Sequence, residues 1–256
     1  MNSVTPIYDI IINLSCTLFS FLCGILAHKA LIKWKQRGKM VIWNVLKDGN
    51  DLPIALSMRE GPYTTSTPRA ALAEVLALAD ILPMLQQLSI NYNIISDNNN
   101  FRINSSPTLL CIGGKKANAV TARFLAQYCS SLPIKIEDNP FSIIVGGRKY
   151  TTEYSDNHSN IVADYGVVLV ICNKDSEGKN KCRIAAFGGR GFGTRGAVQC
   201  LSSTGLVKRF KRYSKNNSFL AIICIRGDND EIRTSVEEFY PLDTLSLIHI
   251  SEPTRQ

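Results

Sequence analysis

The polarity pattern divides the chain in two. An uncharged apolar run comes first, and short apolar stretches punctuated by glycine turns follow. The run "IIINLSCTLFSFLCGILA", Ile10 to Ala27, has the length of a membrane-crossing helix, for which about 20 residues are needed. The stretch before it, "MNSVTPIYD", lacks the Lys or Arg that opens a secretory signal peptide. Basic residues follow at once in "HKALIKWKQRGK", with Trp34 at the expected interface, and such a flank stays on the cytoplasmic side. The pattern therefore predicts a single-pass transmembrane helix at the inner (plasma) membrane, within an anchor and juxtamembrane segment over residues 1–39. The globular part is expected to be cytoplasmic. Cys16 and Cys23, seven residues apart, could share a helix-pairing seam or simply face lipid.

From Met40 onward the periodicity predicts an α/β domain with a mixed sheet over residues 40–242. "MVIWNVLKDGNDLPIALSM" reads as two β-like runs about the turn Lys47-Asp48-Gly49-Asn50. A helix follows, with Thr67 as N-cap, Pro68 in its first turn and Pro83 breaking or kinking it. "YNIISD" predicts a strand. Thr108–Ile112 reads as a strand buried on both faces, leading through Gly113-Gly114 to a helix capped by Asn118. That helix packs Val120, Phe124, Leu125 and Tyr128. Two glycines, Gly146-Gly147, signal a hairpin. "DYGVVLVICNK" and "KCRIAAFGG" predict antiparallel strands, because their connection is too short for a crossover. The helix "GAVQCL", the basic stretch Lys208–Lys215 and the strand Ser218–Gly227 complete the reading.

Two of these turns carry candidate chemistry. Gly191-Phe192-Gly193-Thr194-Arg195-Gly196 is a G-x-G-x-x-G after a strand and before a helix, where glycines let backbone amides approach an anion. Gly189 precedes it, and Arg190 and Arg195 could contact phosphate or carboxylate. The strand ahead leaves a hairpin, and Asn216 and Asn217 stand where a ribose-binding acid would be. A strict dinucleotide fingerprint is therefore not expected. Gly113, Gly114, Lys115, Lys116 and Asn118 form the second turn. Both turns are expected at the C-terminal ends of strands, in one crevice that binds an anionic, nucleotide-like ligand. The plainer reading is two close-packed turns with solvent-exposed cations. Asp164 could hold a ribose hydroxyl, act as a base, or cap a turn. Glu60 is a second candidate carboxylate, and Thr64, Thr65, Ser66 and Thr67 could bind phosphate or serve as caps.

Charge and cysteine usage narrow the alternatives. The net charge of +8 is concentrated in Lys29–Lys39 and Lys208–Lys215. Anchor topology and anionic lipid account for the first cluster without nucleic acid. Eight cysteines show no C-x-x-C pair and three histidines lie far apart, so no zinc site is expected. Cys111, Cys172, Cys200 and Cys224 sit in apolar runs and read as small buried hydrophobes in a reducing compartment. No cofactor is implied, and His158, alone in the globular part, supports no nucleophile triad. "LSLIHISEPTRQ" at the end resembles translated sequencing adapter, so residues 243–256 are expected to be a non-native tail.

With the anchor, "IGGKKAN", "DYG" and "FGGRGFGT" together, the chain resembles the membrane-tethered, Rossmann-like sensor and effector domains of bacterial nucleotide signalling and anti-phage systems. The resemblance implies a three-layer domain that binds a nucleotide-like signal and passes the change to its anchor by repacking or homo-oligomerisation. Some members of that group cleave nucleotides or nicotinamide dinucleotides with a Glu. The alternative reading is therefore a carboxylate-dependent N-glycosidic hydrolase, with Glu60 and Glu153 as positional candidates. A structural envelope protein without a small ligand is the third.

Overall fold

The computed structural model describes residues 17–31, 42–46, 51–59, 69–96, 101–103, 106–128, 132, 134–138, 141–155, 160–174, 178, 180–213, 218–228 and 231–242. The chain divides into two compact units, Met1–Lys39 and Met40–Gln256. In the first, a helix α1 covers residues 17–31 and exposes Leu18, Phe19, Phe21, Leu22, Ile25, Leu26 and Leu31. At 1.5 Å per residue it reaches about 22 Å, against roughly 30 Å for a bilayer core. Among the described residues no helix is long and apolar enough to cross a membrane. The expected spanning helix over Ile10–Ala27 is thus not met there. Residues 10–16 of that run lie outside the described residues.

The second unit is built on a mixed sheet. Its strands are β1 (Leu52–Leu56), β4 (Tyr92–Ser96), β5 (Thr108–Ile112), β10 (Ile161–Lys174), β11 (Asn180–Gly188), β12 (Phe219–Asp228) and β13 (Glu231–Pro241). They are ordered β13-β12-β10-β11-β5-β1-β4, and β9 (Glu153–Tyr154) pairs with β10. β4, β1, β5 and β11 are mutually parallel; β10 runs against β11 and β12, and β13 against β12. β1 and β5 are buried along their whole length, as strands covered on both faces must be.

Each face is covered differently. Helices α2 (Leu72–Gln87), α4 (Gly191–Cys200) and α5 (Thr204–Tyr213) and the 3-10 turn η1 (Trp43–Leu46) bury Ala77, Ile81, Leu85, Trp43, Val198 and Phe210 against one side. On the other side, Val120, Phe124, Leu125 and Tyr128 of α3 (Ala119–Tyr128) share a core with Ile143 and Val145. These last two belong to a small antiparallel sheet of β6 (Ile134–Asp138), β7 (Phe141–Val145) and β8 (Arg148–Tyr150). Its β7–β8 turn is the expected Gly146-Gly147 hairpin, with φ of +56° and +83°.

Several expectations need correction. The first β-like run is η1, because Ile42, Trp43 and Leu46 bury one side at helical spacing. Arg69–Ala70 (β3) pairs with Met58–Arg59 (β2), so α2 begins after Ala71, and Thr67 and Pro68 lie outside the described residues. Pro83 neither breaks nor ends α2. It lies on the exposed side with Ala79, so the carbonyl that loses its partner faces water. The glycine motif is itself the start of α4, which begins at Gly191, five residues before the expected helix. The basic stretch is largely the helix α5. Cys172 is no isolated hydrophobe: it lies directly opposite Cys182 in the β10–β11 ladder and is disulfide-bonded to it.

Candidate functional site

β1 and β5 are adjacent and parallel, yet the chain leaves β1 for α2 on one face and β5 for α3 on the other. In open α/β sheets, ligands tend to bind outside the carboxyl ends of the strands at such a divergence. β11 ends beside it, so the two glycine turns predicted from sequence are neighbours. Gly113 N–H donates to Ala186 O at 3.1 Å, and a Cβ on Gly114 would lie 3.9 Å from Gly188 O.

Each turn faces a buried carboxylate of the protein itself. At the β11 turn this is Asp164, which is fully buried. Its Oδ2 accepts from the amides of Arg190, at 3.1 Å, and Gly193, at 2.5 Å. Its Oδ1 accepts from the Tyr165 amide and from Thr152 Oγ1, at 3.0 and 2.9 Å. Two amides at the start of α4 that could hold a phosphate are thus engaged by a side chain, and that side chain also satisfies orphan donors of the helix.

The glycines of this stretch serve close packing. Gly166 and Gly188 are partners in the β10–β11 ladder. A Cβ on Gly188 would lie 2.5 Å from Thr194 N and 2.6 Å from Gly193 Cα, and one on Gly193 would lie 2.5 Å from Tyr165 O. A Cβ on Gly191 would lie 2.5 Å from that of Ala73 in α2. α4 therefore rests directly on the strand backbones, a separation only glycines allow. Arg195, one turn into α4, binds Asp80 of α2 through Nε and Nη2 at 2.7 and 3.2 Å. This hydrogen-bonded cation holds the Asp80 carboxyl below its usual range. Thr194 is buried, its hydroxyl donating to Arg190 O. Arg190 and Gly191 are exposed, and Gly189 is half-buried.

At the β5 turn the carboxylate is Glu74, from the first turn of α2 and 4% exposed. Its Oε2 accepts from the Ser57 amide at 2.9 Å and the Ser57 hydroxyl at 2.7 Å, which ties α2 to the end of β1. Glu74 packs on Gly113, where an added Cβ would come within 2.8 Å of Cδ. Gly113 also has a φ of +105°, which side chains rarely adopt. Asn118 is the predicted cap: its Oδ1 accepts from the Val120 and Thr121 amides, and its Nδ2 donates to Ala55 O and Ile112 O. Those four bonds pin α3 to β1 and β5 and use the whole amide. Lys115 Nζ reaches Ile136 O at 3.2 Å, and Lys116 is exposed on the rim.

The predicted residues therefore converge on one edge of the sheet, apart from Arg195, which is turned toward α2. Glu60 lies outside the described residues, and Glu153 accepts from Tyr165 Oη at 2.9 Å. Sequence reasoning missed Glu74, Ser57 and Thr152. For Glu74 a signal existed. It is in phase with Leu78, Ile81 and Leu85, so a carboxylate stands on the core-facing stripe of α2. The thiol of Cys111 in β5 is a poor nucleophile, since burial pushes it up to about 12. No protein-family model, curated protein or solved structure matches this chain.

Proposed function

We propose that the chain is a membrane-tethered module whose α/β domain binds an anionic, nucleotide-like ligand at the C-terminal edge of β1, β5 and β11, as a sensor or effector. One observation carries this reading: two glycine turns meet at the point where the connections of adjacent parallel strands diverge. Asp164 and Glu74 already face the turns, so ligand phosphates are met by cations on the rim, Lys115, Lys116 and Arg190. The apolar α1 and the basic flank after it supply the tether. With the tether inserted as a spanning segment, the same flank orients the domain to the cytoplasmic side. There a bond such as Cys172–Cys182 is reducible rather than permanent.

Thermal-shift measurements on the folded protein against mono-, di- and cyclic nucleotides test the reading. A ligand at a hundred times its Kd adds about 2.7 kcal/mol. The shift should vanish in Lys116→Ala, Arg190→Ala. No shift with any anion defeats the proposal.

A second reading rests on Glu74. In that reading the carboxylate of Glu74, held by Ser57 at the divergence point, acts in N-glycosidic cleavage of a nucleotide or NAD. Glu74→Gln separates the two, because loss of turnover with binding retained requires the hydrolase.

A further inference from the structure

The second basic cluster has no part in the candidate site, and the fold gives it a definite setting. α5 turns Leu206, Val207 and Phe210 into the core. Lys208, Lys211 and Arg212 remain exposed, and Arg209 is half-buried. No acidic residue falls within Thr204–Tyr213, so this face carries one sign of charge. A separate contact fixes where α5 lies relative to the chain. Trp43 Nε1 donates to Ser202 Oγ at 3.0 Å, two residues before α5 begins. Trp43 and Ile42 are buried in the same core as Leu206 and Phe210. Ile42 and Trp43, the first described residues of the second unit, therefore lie beside the start of α5, and in sequence they follow closely on the basic run that ends at Lys39.

We propose that the polar face of α5 is a docking surface for an anionic lipid bilayer, and that it sets the domain down on the membrane that receives its tether. The inference rests on the membrane tether proposed above. This face presents Lys208, Lys211 and Arg212 to solvent, and each Lys or Arg near an anionic surface strengthens attraction about five-fold. Nucleic acid would also answer the charge, but it would leave the exposed apolar surface of α1 without a role. The arrangement is that of an interfacial helix in which the protein core replaces the acyl chains on the apolar side.

The test compares the full chain on phosphatidylcholine vesicles with vesicles containing 30% phosphatidylserine. Amide exchange is followed in residues 204–213. Flotation with both kinds of vesicle is the prior requirement, and its failure overturns the tether itself. Given flotation, phosphatidylserine should slow exchange in α5 at least three-fold. The protection should disappear at high salt, as screening demands. It should also be absent in Lys208→Glu, Lys211→Glu, a variant that changes only exposed positions and should keep the wild-type Tm. Equal exchange on the two vesicles overturns the proposal and leaves the tether standing. Protection by a nucleic-acid duplex that phosphatidylserine does not reproduce overturns it in favour of nucleic acid.

Discussion

The turns after β5 and β11 carry the same signal, a strand running into paired glycines and a helix, and they solve different problems. At the β5 turn a glycine is required by its own backbone, with Gly113 at a φ of +105°. The neighbour that crowds it is the end of the flexible Glu74 side chain. At the β11 turn none of the glycines has a positive φ, and what crowds Gly188 is backbone of α4. One turn needs glycine for conformation, the other for closeness. Local sequence cannot separate these cases, since the second depends on what another element brings against the site.

Substitutions can break or sharpen this contrast. The largest effect is expected for Gly188→Ala, whose Cβ must displace Gly193 and Thr194 of α4. The cost should exceed about 4 kcal/mol, enough to abolish cooperative unfolding in a denaturant titration. Gly113→Ala should remain folded and lose about 1–3 kcal/mol, because Glu74 can swing aside while the φ strain stays. If both variants fold equally well, the distinction fails.

Asp164→Asn comes next. It keeps the shape but turns an acceptor of four bonds into a group with donors facing donors. A loss of about 2–3 kcal/mol is expected in chemical denaturation. If Asp164 were only an occupant that ligand phosphate displaces, the variant would be near neutral.

Smaller again is the Asp80–Arg195 pair that fixes α4 to α2. The folded-state pKa of Asp80 is lowered, so its contribution is present above the unfolded carboxyl value and is lost as pH falls through the folded one. The Tm difference between wild type and Asp80→Asn should therefore be constant near neutrality and close below about pH 4. The smallest effect is a gain. Ser89 closes α2 with φ +53° and lies in the exposed set, a positive φ without crowding. Ser89→Gly should raise stability by about 0.5–1 kcal/mol, which calorimetry resolves.

The buried strands were legible because runs such as Thr108–Ile112 must be covered on both faces, and so was the Asn118 cap, which is a local event. Three kinds of feature were not. The start of α2 is decided by pairing of Arg69–Ala70 with Met58–Arg59, a contact that propensity does not see. β6 and β13 form by hairpin pairing with β7 and β12, the strands next to them in the chain, rather than from a periodicity of their own. The cysteine pairing follows from strand register, which places Cys172 opposite Cys182, ten positions on in the chain. At the site, the glycines and cations were visible. The carboxylates that face the turns were harder to see, because Asp164 reads as an ordinary turn residue until α4 is laid against it.

The bond between Cys172 and Cys182 also changes what a cut in the chain would mean. It closes a ring over residues 173–181 at the end of the β10–β11 hairpin. A protease that hydrolysed one peptide within that ring would leave the two fragments covalently joined. The nicked protein would migrate as one species without reductant and as two with it, and a tag inserted there could be cleaved without releasing either half.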